Sequence, residues 1–303
     1  MKTIKLIYNP NAGDGNYDTK ELTKIIEGKG LKYHLTSIKK EGWKEIEEDT
    51  DIVAVAGGDG AVRKVCKMLL KRTGLEKRLP LAVIPLGTAN NIGNSLGLMK
   101  PEEELVDSWD TGDVKTIDIG IVSGHGNESL FFLEGFGFGI FPNLMNEMTK
   151  VDESEKETAE DSLSKAMEVL LETVKNYEAR KCELVIDDTD HSGKFLLVEI
   201  MNMPSIGPNL AINPLADPGD GELEIIVIPE DQRDRLVKYV TEKMKGNDPA
   251  FAFSTLKGKD IAITWDGKHA HVDDEIIKAE KQFKVTVDVN KGVLDFIVPP
   301  TDG

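Results

Sequence analysis

Basic residues, cysteines and long apolar runs are scarce in this chain, and each shortage removes a class of function. Thirty-seven Lys and Arg stand against 54 Asp and Glu, a formal net charge of −17. Nucleic acids attract basic surfaces, so no nucleic-acid partner is expected. The same imbalance argues against a stable membrane anchor of the polybasic kind. Cys66 and Cys182 are the two cysteines among 303 residues, and they fall in what read as different domains. A disulfide framework is therefore not expected, both thiols read as small buried hydrophobes, and a reducing cytoplasmic location fits. No apolar run reaches the roughly 18 residues of a membrane-crossing helix. The opening Met1-Lys-Thr-Ile-Lys-Leu6 reads as a strand rather than a signal peptide. A P-loop and a Gly-x-Ser-x-Gly nucleophile elbow are missing, and Arg63 occupies the third glycine position of a dinucleotide fingerprint.

What is present is a junction at residues 51–60. Asp51-Ile-Val-Ala-Val-Ala56 reads as a buried strand, and Gly57-Gly58-Asp59-Gly60 follows it directly. Glycines let backbone approach a ligand closely because no Cβ stands in the way. Val62 to Leu70 has apolar residues at helical spacing, so a helix N-terminus with its amides and positive dipole end follows the turn. Such an end suits phosphate. Asp59 suits magnesium or an acceptor hydroxyl proton instead. Phosphoryl transfer at the carboxyl end of a strand is the reading. Two more strands end in similar turns: Ile4–Tyr8 before Asn9-Pro-Asn-Ala-Gly13, and Leu81–Pro85 before Leu86-Gly-Thr-Ala-Asn-Asn91. In an open parallel sheet such ends converge on one ligand crevice.

With these pieces in order, the chain resembles the diacylglycerol kinase catalytic family, whose bacterial lipid kinases and sphingosine kinases share a fold with NAD kinases. The matching segments are Asn9-Pro10 with Gly13, Gly57–Gly60, Pro85–Asn91, Phe131–Gly137, Asp220–Leu223 and Val272–Glu275. The resemblance implies an ATP- and magnesium-dependent kinase acting on a hydroxyl of diacylglycerol or a related lipid. It implies that Asn9, Asn11, Gly57, Gly58, Gly60, Thr88 and Asn90 bind the nucleotide with Asp59. It also implies that Asp59 and the Asp217/Asp220 turn hold magnesium, and that Glu275, or Asp59 itself, takes the proton. Ala61 and Arg63-Lys64 depart from the family pattern, as does Asp274 where the family has glycine. NAD kinase-like activity and a catalytically impaired nucleotide- or lipid-binding protein are the alternatives. A homodimer is left open.

The expected fold is a doubly wound α/β nucleotide-binding domain followed by a mainly antiparallel β-sandwich. The first domain spans residues 1–119 with a returning strand in 289–303, and the β-rich substrate domain spans 120–288. Within the first, strands are expected at 4–8, 32–37, 52–56 and 81–84, with helices near 18–29, 43–48, 61–72 and 89–97. In the second, 130–138 reads as one strand and 282–288 and 293–298 as two, with helices over 162–175 and 231–245. The charged stretch from Lys150 to Asp161 reads as an exposed loop or helix start. His269 and His271 read as solvated residues near a turn. Phe131, Phe132, Phe136, Phe138 and Phe141 read as core, with the alternative that some rings line an acyl-chain cleft beside Gly135, Gly137 and Gly139. Lipid would be met by transient membrane contact, with Lys67, Lys71, Arg72, Lys77 and Arg78 as a candidate basic patch or, more simply, a solvated face.

Overall fold

The computed structural model describes residues 1–13, 17–72, 76–152, 158–214 and 216–300. Part of the charged stretch, residues 153–157, lies outside them. The chain divides into two compact units, one of Met1–Ile117 with Gly292–Gly303 and one of Asp118–Lys291.

The first unit alternates strand and helix: β1 (Thr3–Tyr8), α1 (Lys20–Gly28), β2 (Lys32–Ser37), β3 (Ile52–Gly57), α2 (Asp59–Leu69), β4 (Leu81–Pro85), α3 (Asn91–Ser95) and α4 (Glu102–Thr111). β1 pairs in parallel with β2 on one side and β3 on the other, and β3 pairs in parallel with β4. Phe296, near the end of the chain, adds a parallel partner to Leu81 of β4. The order β2-β1-β3-β4 reverses direction between β1 and β3. Loops leaving those two strands diverge there and open a crevice at the carboxyl ends. Every residue of β3 is buried, as expected for a central parallel strand covered on both faces.

Two expectations in this unit fail. Residues 43–48 form turns and irregular backbone, with Glu45 N donating to Gly42 O at 2.9 Å and Gly42 at φ +77°. Six residues with only Trp43 and Ile46 as apolar residues cannot offset the cost of nucleating a helix. The helix expected at 89–97 shrinks to Asn91–Ser95. Conversely α4 was not foreseen, although Pro101 followed by Glu102, Glu103 and Glu104 is a strong helix start.

The second unit begins within β5 (Asp113–Ser123) and continues through β6 (Leu130–Phe132), β7 (Gly135–Gly139), α5 (Ile140–Met148), α6 (Ala159–Asn176), β8 (Arg180–Ile186), β9 (Thr189–Asp190) and β10 (Gly193–Met201). There follow β11 (Ser205–Ile206), β12 (Leu210–Ala211), β13 (Leu223–Pro229), α7 (Arg233–Met244), β14 (Ser254–Gly258), β15 (Asp260–Trp265), β16 (His269–Val272), β17 (Glu275–Lys278) and β18 (Phe283–Val298). Its strand pairs are antiparallel: β10 with β7, β8 and β13, β15 with β8 and β18, and β16 with β7 and β17. The two strands expected at 282–288 and 293–298 are one continuous β18, while β14, β17 and α5 were not foreseen.

Two apolar clusters fill this unit. One gathers Phe132, Phe136, Phe138, Trp265 and Phe283 among β-strand residues. The other holds α5, α6 and α7 against β10 and β13 through Phe141, Leu170, Leu196, Ile226 and Tyr239. The acyl-cleft alternative fails here. Phe136 and Phe138 are two apart and share one strand face, with their rings edge to face at 5.0 Å in the same core. The space beside Gly135 and Gly137 is filled by a carboxylate: a Cβ on Gly135 would stand 2.6 Å from Glu199 Oε1, and one on Gly137 would overlap Glu199 Oε2. Phe136→Ala and Phe138→Ala are each expected to lower unfolding stability by about 3–5 kcal/mol. Denaturant melts check this; an unchanged melt with weakened lipid use would return these rings to a cleft.

Candidate active site

Three turns meet at the carboxyl ends of β1, β3 and β4. Asn9 N donates to Ala56 O at 2.9 Å, Leu86 N to Gly57 O at 3.0 Å, and Gly13 N to Leu86 O at 2.7 Å. Gly58 caps α2 with φ −86°, an ordinary backbone conformation. Its lack of a side chain has a steric reason instead: a Cβ there would stand 2.8 Å from Gly87 Cα, and a Cβ on Gly87 would stand 2.5 Å from Gly58 Cα. The two turns are pressed backbone to backbone. The first intrahelical bond of α2 runs from Ala61 N to Gly58 O, so the amides of Gly58, Asp59 and Gly60 belong to the group a helix leaves without an internal acceptor.

Asp59 sits in that first turn, half-buried. Its Oδ2 accepts from Asn91 N at 2.9 Å and its Oδ1 from Ile92 N at 3.1 Å. The carboxylate thereby clamps the start of α3 to the start of α2. Asn90 takes the left-handed conformation at φ +51°. Its side chain accepts from Gly87 N at 2.6 Å and donates to Gly87 O at 2.8 Å, so Asn90 locks the turn from within. Asn9 Oδ1 accepts from Asn11 N at 3.2 Å. Asn11 and Thr88 are exposed at the rim. Of the eight residues expected to bind nucleotide, all lie around this one junction, yet Asp59 and Asn90 also hold it together.

The residues expected in the second unit occupy two turns. Asp217 Oδ1 accepts from Gly219 N at 3.2 Å, and Asp220 Oδ1 from Glu222 N at 2.9 Å. Lys257 Nζ lies 2.9 Å from Asp220 Oδ2 and 3.2 Å from Glu224 Oε1, so a side-chain cation already sits beside that turn. Among the described residues no group of three His, Cys, Asp or Glu could hold a metal ion. Magnesium commonly takes one or two carboxylates, with phosphates and water completing its shell. Asp59 fits an ion of that kind; a standing protein cage is not present among the described residues.

Glu275 opens β17, exposed, opposite Val272 of β16. The connecting turn is anchored by Asp273, at φ +51° and buried. Its Oδ1 accepts from Glu134 N at 2.8 Å and Leu133 N at 3.0 Å. Those bonds explain why the expected strand 130–138 is broken into β6 and β7. His271 is buried rather than solvated, with Nε2 3.0 Å from Glu199 Oε2. Burial pushes the Cys182 thiol up to about 12, which removes it as a nucleophile. Lys77 pairs with Asp51 and Arg78 with Asp295, leaving the candidate basic patch partly neutralised.

Residues 3–122 match the diacylglycerol kinase catalytic domain, and residues 151–298 match the YegS C-terminal NAD kinase beta sandwich-like domain. The chain carries a diacylglycerol kinase catalytic domain followed by a YegS-type C-terminal domain. A diacylglycerol kinase of Bacillus subtilis (strain 168) is 25% identical over 81% of this chain and 80% of its own length. One from Mycobacterium tuberculosis (strain CDC 1551 / Oshkosh) is 26% identical over 76% and 72%. Sphingosine kinase B of Dictyostelium discoideum is 34% identical over 33% of this chain and 14% of its own length. The crystal structure of a diacylglycerol kinase from Bacillus anthracis str. Sterne superposes with TM-score 0.71 at 23% identity, covering 98% of this chain and 96% of that one. That likeness confirms the fold of α/β catalytic domain plus β-sandwich.

The geometry revises what a family glycine does here. Gly58→Ala is expected to destabilise the fold by about 1–3 kcal/mol, because the clash is with backbone that cannot swing away. Thermal melting checks this; a native melting temperature would mean that the junction has room for a methyl group.

Proposed function

We propose that this chain is an ATP- and magnesium-dependent lipid kinase that transfers the γ-phosphoryl group to a hydroxyl of diacylglycerol or a related lipid. The observation that carries this reading is the junction of three turns at the switch point, where the open first turn of α2 stands beside an oriented Asp59. The match to the catalytic domain supports the kinase class, and the relatives named for diacylglycerol and sphingosine supply the acceptor class.

The phosphoryl transfer forms a bond between the lipid oxygen and the γ-phosphorus. It breaks the bond to the β–γ bridging oxygen, releases ADP and frees the hydroxyl proton. There is little covalent work for the protein, so positioning and charge neutralisation dominate. The amides of Gly58 and Gly60 and the positive end of α2 would receive phosphate oxygens. Asn9, Asn11 and Thr88 would hold the nucleotide at the rim. Magnesium, when bound through Asp59, supplies positive charge against the transferring phosphate. Two amide bonds fix the Asp59 carboxylate in one orientation, which suits a ligand better than a base that must follow a proton. Glu275, exposed at the head of β17, is then the better proton acceptor. Contact with membrane would be brief, because a chain of net charge −17 is repelled by anionic lipid. A cytoplasmic enzyme meeting its substrate at a lipid surface fits these features.

The test is transfer of radiolabelled γ-phosphate from ATP to a total lipid extract, with the product identified by mass and NAD offered as a rival acceptor. Labelled lipid, lost on chelation of magnesium, is expected; labelled NADP without labelled lipid would overturn the reading. Asp59→Asn is expected to abolish transfer and blunt the magnesium response. Glu275→Gln should retain nucleotide binding while lipid phosphorylation falls about 10²–10⁴-fold. Near-normal phosphorylation by a folded Glu275→Gln protein would remove Glu275 as the base.

A further inference from the structure

Beneath the glycines of β7 lies an ionisable pair that the proposed chemistry does not use. Glu199 on β10 and His271 on β16 are 0% and 1% exposed. Glu199 Oε2 lies 3.0 Å from His271 Nε2, and His271 Nδ1 lies 3.0 Å from the backbone oxygen of Asp273. A carbonyl can only accept, so Nδ1 must carry a hydrogen. The second nitrogen faces a carboxyl group. One proton therefore serves the contact, either on Nε2 against an ionised Glu199 or on Glu199 against a neutral ring. Both arrangements leave the pair with zero net charge, the only balance a dry site tolerates cheaply.

We propose that Glu199 and His271 share this single buried proton and that it positions the Asp273–Glu275 turn, so that Glu275 is presented correctly only while the proton is in place. The path is continuous. His271 Nδ1 donates to the Asp273 carbonyl, the Asp273 carboxylate collects the amides of Leu133, Glu134 and Gly135, and Glu275 stands two residues further on. Glu199 and His271 are positioning residues; neither is placed to touch substrate. The kinetic consequence rests on the base role proposed for Glu275, while the positioning does not.

Other elements packed against β16 are β6, β7, β17 and α5. Their ionisable groups, with those of the links between them, are Glu134, Asp273, the exposed Asp274, Glu275, Lys278 and Glu147. Of these, Asp273 acts on the pair and is anionic, which adds to the penalty of losing the proton. On the pair's own strands stand His269 and Lys194, both exposed. Desolvation raises Glu199 above its ordinary 4.5; burial by itself lowers His271, but the charge and hydrogen bond of Glu199 together with Asp273 raise it above its ordinary 6.5. Between those two ordinary values folded and unfolded chains each hold one proton on the pair, so its contribution is flat. As pH rises beyond 6.5 the unfolded pair holds none while the folded pair keeps one, and the contribution declines. Below 4.5 the unfolded pair holds two, and it declines again.

The conservative variant is Glu199→Gln. Its amide can donate to the neutral Nε2 while Nδ1–H stays on the Asp273 carbonyl, which keeps the geometry and removes the mobile proton. Two measurements on the whole chain decide the matter. Amide hydrogen exchange at Leu133–Gly135, corrected for intrinsic rate, should lose protection between pH 6 and pH 9 in the wild type, by up to about tenfold per pH unit above 6.5 for as long as the folded pair keeps its proton. Glu199→Gln should stay flat over the same range. In parallel, kcat for lipid phosphorylation should fall on the alkaline side in the wild type with the KM for ATP unchanged, and that fall should vanish in Glu199→Gln. Nitrogen NMR of the histidine-labelled wild type, which needs no variant, should show His271 protonated at Nδ1 throughout. Equal pH dependence in the two proteins, or an unprotonated Nδ1, would overturn the proposal. If no lipid is phosphorylated at any pH, the kinase reading fails and the exchange data still decide the positioning.

Discussion

Gly58 and Gly87 touch through their main chains, and the catalytic unit is organised around that contact. It brings the turn after β3 against the turn after β4 at a distance no side chain allows. Once the turns are that close, the Asp59 carboxylate reaches the first amides of α3 and Asn90 can close its own loop on Gly87. A short five-residue α3 could not persist without such an anchor, since isolated helices of this length do not form. The glycines thus act first on the protein's own backbone. Access for a ligand is a consequence of where the turns are held.

The same device recurs in the second unit. Asp273 gathers three successive amides at 133–135, and Asp118 Oδ2 accepts from Gly221 N at 2.7 Å beside the Asp217–Asp220 turn. Carboxylates that accept backbone amides are satisfied without a cation partner. This gives an acidic chain a use for its aspartates that adds no basic residue. It also explains why turns resembling ligand sites in sequence are already well bonded: the carboxylates are set in place before any ligand arrives.

Much of this was legible in the sequence, for identifiable reasons. Short apolar strands alternating with helical stretches over residues 1–119 announce a parallel sheet, and Gly57–Gly60 gains meaning from the two similar turns after β1 and β4. The convergence of Asn9, Gly57 and Thr88 followed from the rule that open parallel sheets bind ligands at their carboxyl ends. Apolar spacing also sufficed for the body of α6, expected over 162–175, while its Thr158–Asp161 capping box sets the start earlier, at Ala159. What the sequence hid was tertiary. The break at Leu133–Glu134 depends on Asp273, about 140 residues away, and no local pattern announces it. The burial of His271 depends on Glu199, which reads as an ordinary charged residue within an apolar strand. Pro101 before three glutamates is a local signal for the start of α4.

The two glycine-rich segments show how one composition serves opposite ends. At 57–60 small residues permit two backbones to meet at a surface crevice, with Asn11 and Thr88 exposed beside it. In β7, Gly135 and Gly137 make room for Glu199, while Phe136 and Phe138 point into the opposite core. Strand alternation makes the second arrangement possible: one face carries two rings and the other carries nothing. A glycine face beside aromatics suggests an apolar cleft only if apolar atoms fill the gap. Here the filling group is a carboxylate that must be paired, and its ring-nitrogen partner, His271 Nε2, belongs to the strand that ends in the Asp273 turn. Packing on one face of β7 and proton balance on the other are therefore parts of a single constraint on the hairpin that carries Glu275.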